Sequence, residues 1–103
     1  MRLLLAALLL IGAPNVDAQA TDKAQKICRE TTYKISGLLF KARRDRLDLN
    51  ELLKDQLAGT HDTWYRGVVV HMFHAAIDAP TMTEREVATL GYAYCIERRP
   101  AGT

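Results

Sequence analysis

Residues 21–44 read TDKAQKICRETTYKISGLLFKARR, and their spacing decides the fold. Ala24, Ile27, Cys28, Thr31, Ile35, Leu38, Leu39 and Ala42 recur every three or four positions. That period places them along one face of a helix running from Thr21 to about Arg44, with charged residues opposite. A helix this long with a single apolar face needs neighbouring helices to cover it.

The chain downstream supplies them. Asp48 is placed to cap a second helix, with Glu51 three residues on to close a capping box and Leu47 able to staple to Leu52. Leu49, Leu52, Leu53 and Leu57 form its apolar side, and Gly59 ends it. A third helix is expected from Thr60–Asp62 to about Ala79, where Pro80 disfavours helical backbone at the residue before it. Trp64, Val68, Met72, Ala75 and Ala76 occupy one broad face of this helix, and Val70, Phe73 and Ile77 form a second apolar strip. That strip is expected to be core, with a homodimer contact as the alternative. Gly67, His71, His74 and Asp78 fall in a polar wedge of roughly 60 degrees. A helix so apolar around its circumference belongs at the centre. Thr83 and Glu86 form a second capping-box pattern, with Met82 able to pack on Val87. The fourth helix should run to about Arg98, with Val87, Leu90, Gly91, Tyr94 and Cys95 on or beside its inner face.

There is neither strand-like alternation nor an Asn-Gly hairpin, so the expected fold is all-α: a small antiparallel four-helix bundle. Its two cysteines, each on the apolar side of a terminal helix, predict a bridge between Cys28 and Cys95 that joins the first and last helices.

The N-terminus reads differently. Met1-Arg2 is a short positive region, Leu3 to Ile11 is an unbroken apolar run, and Gly12 to Ala20 is polar with Pro14 within it. This is the pattern of a signal peptide over residues 1–20, with cleavage after Ala18 or Ala20. The apolar run is about half of the ~20 residues needed to span a bilayer, which argues against a stable membrane anchor. Residues 21–103 then form a single helical domain, and a periplasmic or secreted location is expected.

With 103 residues, two cysteines and 25% charged residues, the chain is too short for two domains and lacks a four-cysteine zinc ribbon. Removing residues 1–18 takes away Arg2 and Asp17, leaving 13 basic and 11 acidic side chains and the same net charge of +2. A balance this even does not mark a nucleic-acid binder. The one basic run, Lys41 to Arg46, is read as the solvated end of a helix, where cations meet the negative end of the macrodipole.

Catalytic patterns are sparse. His71, His74 and Asp78 could in principle offer two imidazoles and a carboxylate to zinc, making them weak metal candidates. They lack the glutamate of a His-Glu-x-x-His motif, and no cofactor is expected. No Gly-x-Ser-x-Gly elbow surrounds Ser36, and both thiols are committed to the bridge, which leaves nucleophilic catalysis without a base–nucleophile pair. Glu84 and Glu86 are explained as first-turn residues of a helix.

What remains is surface. Lys26, Arg29, Tyr33, Phe40 and Arg44 share a sector of the first helix opposite its core stripe, a basic-aromatic mixture of the kind that dominates interface energetics. The simpler alternative is that Tyr33 and Phe40 pack beneath the second helix. The leading expectation is a non-enzymatic exported protein that binds another envelope or secreted protein as inhibitor, immunity protein or accessory factor. A second reading is a pH-responsive periplasmic chaperone, since three histidines can raise the charge from +2 to +5. A metal-assisted enzyme is the third. In layout alone the chain resembles periplasmic acid-stress chaperones and some secretion-system immunity proteins, with no residue motif that would transfer a binding site.

Overall fold

A computed structural model describes residues 21–99 of the chain, so the expected signal peptide over 1–20 lies outside the described residues. Four helices follow one another: α1 (Asp22–Arg44), α2 (Leu49–Ala58), α3 (Thr63–Asp78) and α4 (Glu84–Glu97).

Each helix starts on a side chain that accepts an otherwise unpaired N–H of the first turn. Thr21 accepts from Ala24, Asp48 from Asn50 and Glu51, Asp62 from Tyr65, and Thr83 from Glu86. The capping box is complete only at α4, where Glu86 Oε1 also accepts the Thr83 N–H at 2.8 Å. At α2 only half of the expected box forms, because the Glu51 carboxylate lies 3.5 Å from Lys54 Nζ instead. Leu47 is 55% exposed, so the expected staple is not made. Its N–H is committed to closing the end of α1, and that fixes the backbone with the side chain outward.

That end is a Schellman turn. Leu47 N–H donates to Ala42 O at 2.9 Å, Arg46 N–H donates to Arg43 O at 3.1 Å, and Arg46 sits at φ 61°. Glycine usually fills this left-handed position, because a Cβ there crowds the following carbonyl oxygen. The third helix stops at Ala79, whose extended backbone (φ −129°, ψ 75°) is what Pro80 imposes on its predecessor.

The helices pack as an antiparallel bundle in which α1 and α4 share the largest contact, and α3 touches all three others. Cys28 and Cys95 are bridged with their Cα atoms 5.7 Å apart, tying the N-terminal part of α1 to the C-terminal part of α4. Phe73, Leu39, Met72, Val68, Val69 and Val87 are fully buried in the same core as the two cysteines. Side chains of this kind each contribute about 1.5–3 kcal/mol on leaving water. Of the second apolar strip, Phe73 is 0% exposed and Val70 packs against the core, while Ile77 is half-buried. On α4, Gly91 lets the backbone come so close to α3 that a Cβ built there would stand 2.7 Å from Met72 Cγ. Leu90, expected on or beside the inner face, lies at its edge and is 39% exposed, while Ile96 is buried. Thr32 and Ser36 are the buried polar residues of α1, and each resolves its burial locally. The Thr32 hydroxyl donates to Cys28 O at 2.8 Å and that of Ser36 to Tyr33 O at 3.1 Å.

Candidate functional site

The register imposed by the disulfide sets the outer edges of α1 and α4 side by side, and between them lies an open groove of about 550 Å³. Its floor and walls are mainly apolar, formed by Tyr33 and the Thr32 edge of α1 and by Ala88, Thr89 and Tyr92 of α4. Arg29 and Arg85 flank it, and Glu30 is the only acidic residue among the described residues that line it. Tyr33 is 79% exposed, the most exposed large apolar side chain among the described residues. Lys26 Nζ lies 3.9 Å from the Glu30 carboxylate one turn further along the same helix. Neither the Arg29 nor the Arg85 side chain has an ion pair or hydrogen-bond partner among the described residues.

The basic-aromatic sector of α1 therefore divides. Arg29 and Tyr33 enter the groove, with Lys26 one turn above them. Phe40 does not join them: it packs on the core, and the Arg43 guanidinium covers its ring at 4.5 Å. Arg44 lies at the far end of α1, exposed and apart from the groove. Sequence reasoning missed Arg85, Ala88 and Tyr92, the α4 half of the groove. The available signal was that Arg85, Ala88 and Tyr92 lie three and four residues apart, a helical stripe beside the Val87–Gly91–Cys95 face.

Two other arginines are structural. Neither α2 nor α3 carries a basic residue in its last turn, and each has its C-terminal carbonyls met by an arginine from outside that helix. Arg66, on α3, donates to Leu57 O at 2.6 Å and Thr60 O at 2.9 Å at the end of α2. Arg43, on α1, donates to Ala76 O at 2.9 Å and Met82 O at 3.4 Å at the end of α3. Arg43 is thus drawn inward from the basic run, while Lys41 pairs with Asp45 at 3.1 Å on the surface.

His71 and His74 of the polar wedge line a smaller depression with Arg66, Gly67, Val70 and Tyr94. His71 stacks on the Tyr94 ring with centroids 4.4 Å apart and planes 20° from parallel, and Arg98 lies 4.4 Å from the same ring. The imidazole is thereby a packing element between α3 and α4. His74 and Asp78 stay exposed. Among the described residues, no three His, Cys, Asp or Glu side chains gather where they could hold a metal ion, so His71, His74 and Asp78 do not converge. Ser36, the serine without a base in the sequence, is buried with its hydroxyl bonded to the helix backbone. No helix among the described residues is long and apolar enough to cross a membrane. Comparison with protein-family models, curated proteins and solved structures finds no match to this chain.

Proposed function

We propose that this is a non-enzymatic exported protein that recognises another envelope or secreted protein through the groove between α1 and α4. One observation carries the reading: a tyrosine left 79% exposed on the wall of an apolar groove, next to an arginine with no partner of its own. Tyrosine and arginine supply much of the energy at protein contacts, and an aromatic ring is held in water only at the expense of its hydration. The groove is open along its length, a shape that suits a macromolecular surface better than a small molecule, whose site normally encloses most of it. The Cys28–Cys95 bridge supports an oxidising compartment, periplasmic or extracellular, and agrees with the export signal read in residues 1–20.

The test is site-specific photocrosslinking in the exporting cell. A benzophenone amino acid in place of Tyr33 is expected to give one discrete adduct with another protein. The same probe at Lys54, exposed on α2, should give none, and Tyr92→Ala should abolish the Tyr33 adduct. Equal labelling from both positions, or none from Tyr33, rejects the reading. N-terminal sequencing of the exported protein should start at Gln19 or Thr21.

A further inference from the structure

The groove's charges name the kind of segment it fits. Two cations flank it, Arg29 on α1 and Arg85 on α4, and neither has a carboxylate partner among the described residues. The single acidic residue of the lining, Glu30, already faces Lys26. Because Cys28 is joined to Cys95 and the two helices run antiparallel, Arg29 stands at the Tyr92 end of the groove. Arg85 lies seven residues before Tyr92, about 10 Å away along α4 at the usual helical rise. The apolar stretch of Tyr33, Ala88 and Tyr92 lies between these charges.

From this juxtaposition, and resting on the protein-recognition reading above, we propose that the occupant is an acidic amphipathic helix of a partner protein. It presents apolar residues at positions i+3 and i+4 to Tyr33, Ala88 and Tyr92, and carboxylates near i and i+7 to Arg29 and Arg85. Two turns of helix carry that pattern over about 10 Å, the length of α4 between Arg85 and the Tyr92 end of the groove where Arg29 stands. Ridges of such a helix lie in the furrow between α1 and α4 as one helix packs on two others. The arginines set orientation and discriminate against basic segments, which would bring like charges together at both ends.

The experiment uses the disulfide-bonded protein, 15N-labelled, and two synthetic 14-residue amphipathic peptides with Leu and Phe at i+3 and i+4. One carries Glu at i and i+7 and the other Lys. The acidic peptide is expected to bind about tenfold more tightly than the basic one at low salt, and to shift the amides of Arg29, Tyr33, Arg85 and Tyr92. The preference should fall as salt is raised to 0.5 M. Arg29→Glu combined with Arg85→Glu should reverse it, and both positions are exposed, so the fold stays intact. Equal affinity for the two peptides, shifts elsewhere on the surface, or no binding overturns the proposal. A dimer in sedimentation equilibrium whose contact includes Tyr33 also overturns it, since the groove's occupant is then a second copy. A discrete Tyr33 crosslink in cells together with equal peptide affinities rejects the acidic helix alone and leaves the recognition reading standing.

Discussion

The same substitution, glycine to alanine, should move stability in opposite directions at two places in this bundle. Gly37 lies inside α1 with nothing within 4 Å of where a Cβ would go. Alanine there removes the backbone-entropy handicap of a helical glycine, a gain of about 0.8–1 kcal/mol. Gly91 lies inside α4, so it receives the same propensity gain, but its new methyl would overlap Met72 Sδ and stand 2.7 Å from Met72 Cγ and 3.1 Å from Cε. Met72 is fully buried, and its mid-chain atoms, not only its tip, are in the way. Overpacking of this kind costs about 1–3 kcal/mol. Subtracting one variant from the other cancels the common propensity term, so Gly91→Ala should be less stable than Gly37→Ala by about 1–3 kcal/mol. Urea unfolding of both oxidised variants, followed by far-UV circular dichroism with equal m-values required, reads this difference directly. If the two alanines stabilise equally, α4 does not approach α3 as closely as described, and the placement of Tyr94 against Gly67 is in doubt with it.

Three further outcomes follow from single contacts. Replacing both Cys28 and Cys95 by alanine should lose about 4 kcal/mol, the chain-entropy value for a bridge with a sequence separation of 67. An unfolding free energy within 1 kcal/mol of the oxidised wild type contradicts it. Arg46→Gly should raise stability by about 1 kcal/mol by relieving the left-handed turn after α1, roughly 4–8 °C in Tm, whereas Arg44→Gly two residues earlier, at the last helical position, should lower it. A drop in Tm for Arg46→Gly refutes the Schellman geometry. Arg66→Met keeps much of the apolar stem but removes the donor to Leu57 O and Thr60 O. It should cost about 1–2 kcal/mol, with amide exchange accelerating first in the last turn of α2.

The helices were legible because their signals are local. Thr21, Asp48, Asp62 and Thr83 each sit one residue before the first helical position, and a cap needs only a short acceptor side chain and two or three residues of backbone. The cysteine pairing was legible for a different reason: with two cysteines on the inner faces of terminal helices there was one pairing to make. What spacing could not show was how α4 divides its circumference between two neighbours. Leu90 falls at the exposed edge of the inner face and Ile96, which the projection did not single out, is buried, because α1 and α3 approach α4 from different sides and a single-helix projection has no information about either. The groove suffers the same blindness. Tyr33 was visible as an outward aromatic on α1, but Ala88 and Tyr92 acquire meaning only once α1 and α4 are set side by side in the register of the bridge.

The arginines carry this point into function. By residue type, Arg29, Arg43, Arg66 and Arg85 are indistinguishable. Their roles separate according to whether a helix C-terminus lies within reach. Arg43 and Arg66 face the ends of α3 and α2, whose last carbonyls lack a cation of their own, so the guanidinium has fixed acceptors in the folded state. Arg29 and Arg85 lie in the first half of α1 and at the start of α4, where carbonyls are already bonded within the helix, and their side chains find no acceptor among the described residues. A guanidinium carrying several unpaired donors beside an apolar groove favours a carboxylate over any neutral group. Thus the same bundle geometry that consumes two arginines in holding itself together leaves two others without a side-chain partner among the described residues, available to the occupant proposed for the groove. Stability and recognition should therefore respond independently, with Arg29→Glu and Arg85→Glu changing the partner and leaving the melting temperature nearly unmoved.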